Sequence, residues 1–171
     1  TCTNTLPTAS GINGTGNSSV TVCPGQQVCF TVNSVDADAT QNVTLTTNNG
    51  IAGATYTISG GSRPTLTFCW TPTNANIGLL PNTFTVTVRD NACLYNGIQT
   101  FSFNIYVPSP YFNIAGTNIS CNGATTGTAT ATPVITSTYN YAWSNGGTTS
   151  SITGLTAGTY SVTVTDPSSG C

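Results

Sequence analysis

Charge is almost missing from this chain. Only 4% of its 171 residues are charged: Arg63, Arg89, Asp36, Asp38, Asp90 and Asp166. Soluble domains commonly carry about a quarter. Lys, Glu, His and Met do not occur at all. Without His, Lys or Glu the chain has no Ser–His or Cys–His pair and no lysine base, so no catalytic residue and no enzyme is expected. Two Arg against four Asp leave almost nothing to neutralise phosphates, which argues against a nucleic-acid partner. No apolar run approaches the roughly 20 residues of a membrane-spanning helix. Zinc would want closely paired Cys or His ligands, and the tightest cysteine spacing is Cys23 to Cys29. No signal-peptide pattern opens the chain, so either a leader was removed or the segment is interior to a longer protein.

Thr, Ser, Asn and Gly supply the polarity instead, and β-branched Thr suits the outer face of a strand. Apolar and polar residues alternate in short runs with turn signals between: SSVTV (18–22), VCFTV (28–32), NVTLTT (42–47), ATYTIS, TLTFCW, TFTVTV (83–88) and TFSFNIYV (100–107). That pattern predicts an all-β protein whose residues 1–107 form an Ig- or cadherin-like β-sandwich, with 1–17 a linker or the tail of a preceding module. PSP (108–110) interrupts strand pairing, and 108–118 reads as a linker. GTATATPVI, YNYAWS, SSIT and TYSVTVTD then predict a smaller sandwich over 119–171.

One phrase is written twice: LLPNTFTVTVRD (79–90) and GLTAGTYSVTVTD (154–166). In each copy an aromatic and two Val share one face (Phe84, Val86, Val88; Tyr160, Val162, Val164). A Trp precedes each copy (Trp70, Trp143) and a Cys follows (Cys93, Cys171). The phrase reads as the penultimate strand of each of two tandem sandwiches.

The segment ISCNGATTGTATATP…YNYAWSNGGTTSSITGLTAGTYSVTVTDPSSGC (119–171) resembles the SprB-type repeat of gliding-motility adhesins. The likeness lies in its opening Cys-x-Gly, its Y-x-Y-x-W-S-x-G, its L-x-A-G-T-Y-x-V-T-V-x-D and its closing Gly-Cys. It is also similar to PKD-type modules. VCFTVNSVDAD, FCWTPT and PNTFTVTVRDNAC are more loosely similar to Ig- or cadherin-like modules of the same large surface proteins. The resemblance implies a long, repetitive protein secreted by the type IX pathway to the surface of gliding bacteria.

Seven cysteines in a turn-rich, charge-poor chain fit disulfides and an oxidising compartment. Cys121 and Cys171 bracket the second module, and a bond between them would tie its first strand to its last. Cys29 lies between inward Val28 and Phe30, and Cys69 between inward Phe68 and Trp70. Both point outward from neighbouring strands, which predicts a surface cross-strand disulfide rather than a buried bridge between sheets. The pairing of Cys2, Cys23 and Cys93 stays open: Cys2 belongs either to the tail of a preceding repeat or with Cys93.

VDADATQN (35–42) and RDN (89–91) fall in loops at one end of the first sandwich. Asp36, Asp38 and Asp90 there are candidate calcium ligands, since hard oxygens suit Ca²⁺. The cadherin pattern also uses Glu and an L-D-R-E phrase, and both are missing. The other reading is that each Asp caps a turn through its own side chain. Apart from calcium no cofactor is expected. Tyr139, Tyr141 and Trp143 could stack on sugars or simply form a core face. These readings lead to a structural stalk or spacer of a long extracellular adhesin or filament. Its expected partners are further modules of the same chain, surface glycans or other copies in a fibre. A calcium- or glycan-binding module of a secreted multidomain protein is the alternative.

Overall fold

Alternation of apolar and polar side chains lays down thirteen strands in the computed structural model of the chain, which describes residues 4–92, 95–108, 111–121 and 123–171. The chain divides into two units, residues 1–108 and 109–171.

In the first unit β1 (Thr8–Ala9), β3 (Val28–Val35), β6 (Thr65–Trp70) and β5 (Thr55–Ile58) form one sheet in the order β1-β3-β6-β5. The other sheet runs β2-β8-β7-β4, from β2 (Ser19–Thr21), β8 (Ile98–Tyr106), β7 (Asn82–Asp90) and β4 (Val43–Thr47). Neighbours are antiparallel except β2, which lies parallel to β8. This is an Ig-like sandwich: two sheets bury one face each against the other because alternate residues are apolar. Phe84, Val86 and Val88 of the repeated phrase are fully buried. Phe84 stacks on Phe68 (ring centroids 4.7 Å apart) and on Phe103 (5.4 Å), and meets the edge of Tyr56 (5.3 Å).

Of the expected linker 1–17, the described part from Asn4 on belongs to the sandwich. Pro7 is fully buried, β1 pairs with β3, and Ile12 enters the core. A two-residue strand leaves no alternation to read, which is why the sequence hides it.

The second unit has two sheets, β12-β10-β9 and β11-β13. Its strands are β9 (Phe112–Thr117), β10 (Gly127–Pro133), β11 (Asn140–Trp143), β12 (Ser151–Leu155) and β13 (Val162–Thr165). Here too the expected linker is partly structure, because β9 pairs with β10 over six positions. All its side chains but Phe112 are exposed, so backbone pairing rather than a buried face makes it a strand. Of the PSP break, Ser109 and Pro110 lie outside the described residues. Ala131, Trp143, Ile152, Leu155 and Val164 form a separate, smaller core. Trp143 stands on β11, directly paired with the repeated phrase. Trp70 stands in the sheet opposite its copy, so the two Trp are not equivalent.

Candidate functional site

β3 and β6 place Cys29 opposite Cys69, between the pairs Val28↔Trp70 and Phe30↔Phe68. The flanking side chains turn inward, so both sulfurs turn outward. Their Cα atoms are 4.2 Å apart and a disulfide joins them across 40 residues of chain. That spacing is close to the approach of a pair that exchanges no ladder hydrogen bonds, where side chains stand nearest.

The bracketing bond of the second unit does not form. Cys121 is an exposed free thiol and Cys171 is disulfide-bonded elsewhere. Topology gives the reason. The loop from β9 to β10 carries Cys121 and lies beside residues 156–160, where the chain turns into β13. β13 then runs away from that end for four residues, roughly 13 Å, before the chain reaches Cys171. Disulfides need Cα atoms within about 7 Å. Cys23 is also disulfide-bonded, and Cys2 and Cys93 lie outside the described residues.

The predicted acidic loops do gather at one end of the first sandwich, but as caps. Asp36 Oδ1 accepts the Asp38 N–H (2.9 Å), and Asp38 Oδ2 accepts the Thr5 N–H (2.7 Å). Buried Asp90 accepts from the Gly97 N–H (2.7 Å), the Ala92 N–H (3.1 Å) and the Asn4 amide (3.0 Å). Burial pushes the Asp90 carboxyl up. The Ala92 N–H, Asn4, the Gly97 N–H and the Arg89 charge together outweigh it and hold the group below the usual carboxylate value. Gly97 is required here: a Cβ would stand 2.5 Å from Asp90 Oδ2 and 2.8 Å from Pro7 Cδ.

Among the described residues no three carboxylates or thiols come together as a metal-holding group. Asp36, Asp38 and Asp90, the candidate calcium ligands, are thus not drawn into one three-carboxylate group. The task of drawing carbonyl oxygens together falls to Arg63, in the loop from β5 to β6. Its Nη2 donates to the carbonyls of Asp38 (2.8 Å) and Asp36 (3.4 Å), and its Nη1 to those of Ser62 (2.9 Å) and Gln41. A planar guanidinium suits this because its five donors radiate in fixed directions. Asn4 links the network, accepting from Gln41 and donating to Asp90 (3.1 and 3.0 Å). Asn91 Oδ1 takes the Asn42 N–H (2.7 Å). Sequence reasoning missed Arg63, Asn4, Gln41 and Gly97. The available hint was one of only two cations set in a Gly/Ser turn, SGGSRP.

The aromatic run of the second unit is a core face. Trp143 is buried and donates to the Thr149 carbonyl (2.8 Å), with Tyr139 and Tyr141 packed against the same core. Among the described residues no helix is long and apolar enough to cross a membrane.

No family model and no curated protein matches the chain. Solved structures resemble it distantly. A multidomain fragment of titin is 13% identical over 94% of this chain and 60% of its own length, with a TM-score of 0.42. Tandem Ig repeats of Dlar are 13% identical over 95% of this chain and 90% of theirs (TM-score 0.32). Domains 4 and 5 of the S-layer protein SbsC are 23% identical over 60% of this chain and 54% of theirs (TM-score 0.31). The chain thus spans about 60% of the titin fragment's length.

Proposed function

We propose that the chain is a structural stalk or spacer segment of a long secreted adhesin or filament at a bacterial cell surface, working in adhesion and gliding motility without catalysis. The observation that carries this reading is two β-sandwich units in series, each with its own core, whose Asp side chains and Arg63 are spent on closing loops. The outward Cys29–Cys69 disulfide supports an extracellular setting, since such bonds persist in oxidising compartments. The likeness of residues 119–171 to SprB-type repeats supports the gliding bacterium and export by the type IX pathway. Partners on this reading are further modules of the same chain, other copies in a fibre, and surface glycans met by a tip elsewhere in the protein.

Pulling single molecules tests the mechanical part. The first unit should unravel as one event whose length gain grows by roughly 13–14 nm in a Cys29→Ser, Cys69→Ser variant, taking 3.3–3.6 Å for each of 40 residues. Gradual extension without a force peak would overturn it. Antibodies against the chain should label intact producing cells, and labelling only after lysis would remove the surface assignment.

One observation favours a cation-binding module as the second reading. Asp36 Oδ2 and Gln41 Oε1 are buried without a hydrogen-bond partner among the described residues. Calorimetry with Ca²⁺ on the chain and on Asp36→Asn separates the two: heat that vanishes in the variant supports binding, and no heat in either leaves the spacer.

A further inference from the structure

The repeated phrase has two sheet neighbours in the first unit and one in the second. β7 lies between β4 and β8, whereas among the described residues β13 pairs with β11 alone. The Ser144 N–H donates to the Ser161 carbonyl (2.9 Å), which fixes the phase of the β11–β13 ladder. Residues 161, 163 and 165 turn their backbone groups toward β11, so Val162, Val164 and Asp166 turn theirs to the outer edge. On that edge the Asp166 N–H already donates to the Cys171 carbonyl, at 2.7 Å. The same rung exists in the first unit, where the Asp90 N–H donates to the Gly97 carbonyl at 3.1 Å. Gly97 immediately precedes β8, and its ladder continues as Val88↔Gln99 and Val86↔Phe101.

We infer that the outer edge of β13 is a docking site for one further antiparallel strand, and that its occupant is chain joined directly to Cys171. Cys171 stands where Gly97 stands, after a turn that has already reversed the chain. The second and fourth residues beyond it fall opposite Val164 and Val162, as Gln99 and Phe101 fall opposite Val88 and Val86. The occupant is an extended segment with apolar residues at alternate positions, because the edge offers N–H and C=O groups beside the core to which Val162 and Val164 belong. Such a strand turns a two-stranded sheet, marginal by itself, into a three-stranded one matching β12-β10-β9. It also removes an unpaired edge that invites unwanted pairing.

The test grafts a copy of Ile98–Tyr106 directly after Cys171 of the full chain, which sets the β7–β8 register on β13. Hydrogen exchange at the Val162 and Val164 amides should be fast in the chain alone and at least tenfold slower with the graft. A second graft carries Pro at the copies of Gln99 and Phe101, whose N–H groups face β13, and should give no slowing. Protection of β10 and β12 amides in all three chains shows the second unit folded throughout. The proposal is overturned if Val162 and Val164 are already protected in the chain alone, if the first graft gives no slowing, or if the Pro graft protects equally. Protection that rises with concentration of the ungrafted chain would assign the edge to a second copy and overturn the occupant.

Discussion

Arg63 does the work at the loop end of the first sandwich that the calcium reading would give to a metal ion. It satisfies backbone carbonyls that would otherwise crowd together with no donor between them. Arg63→Gln should destabilise the first unit by on the order of 1–3 kcal/mol, the usual cost of stranding partly buried polar groups. Arg63→Lys should recover little, because an ammonium cannot reach several carbonyls in fixed directions. Urea denaturation of both variants checks this. Asp90 adds a pH dependence with a definite sign. Its carboxyl is held below the ordinary value in the folded chain, so the unfolded chain takes up the proton more readily. The stabilisation is complete above the ordinary carboxylate value of about 4, and is lost as pH falls through the lower folded value. Asp166 shifts the same way in the second unit. The Ser168 hydroxyl, the Ser168 N–H and the Ser169 hydroxyl hold it down against burial. Melting curves between pH 7 and 2 should show acid loss in both units, and Asp90→Asn should flatten the first unit's curve alone.

Among the described residues, strands are joined by hydroxyl pairs and by the Cys29–Cys69 disulfide where other proteins use ion pairs. Thr87 and Thr100 share a hydrogen bond across β7 and β8 (2.9 Å), as do Thr117 and Thr128 across β9 and β10 (2.8 Å) and Thr130 and Ser151 across β10 and β12 (2.9 Å). Such pairs contribute roughly 0.2–1 kcal/mol each and do not weaken with salt. The Cys29–Cys69 bond closes a 40-residue loop, which the chain-entropy model values at about 4 kcal/mol. A Cys29→Ser, Cys69→Ser variant should lose about 2–4 kcal/mol from the first unit with little packing loss, since the sulfurs face outward. Calorimetry should show that transition fall while the second unit's stays. In the core between the sheets, Phe84→Ala should cost about 3–5 kcal/mol, because four aromatic neighbours cannot all close the space left behind.

For the whole molecule, scarcity of charge becomes resistance to proteolysis. Trypsin needs Lys or Arg, and the chain offers two sites. Arg63 is followed by Pro64, a bond trypsin does not cut. Arg89 lies within β7, between β4 and β8. Cleavage should therefore wait for unfolding of the first unit and track its stability. Cleavage in native buffer as fast as in urea would show that β7 opens locally.

The alternation of apolar and polar residues by itself determined an all-β chain of two sandwiches, the inward face of the repeated phrase and the outward Cys29–Cys69 pair. Strand periodicity fixes which face a side chain takes, and face is enough for those conclusions. It does not say which strands meet or which end of a sheet a loop reaches. That is why β1 and β9, strands made by backbone pairing, were hidden in segments read as linkers. It is why Cys121 and Cys171, which bracket a module in sequence, stand at opposite ends of it in space. Of the two readings the sequence left for Asp36, Asp38 and Asp90, only the tertiary structure decides for turn caps, because only there do their oxygens meet the N–H groups of Asp38, Thr5, Ala92 and Gly97 while Arg63 arrives from a different hairpin to take the carbonyls of Asp36 and Asp38.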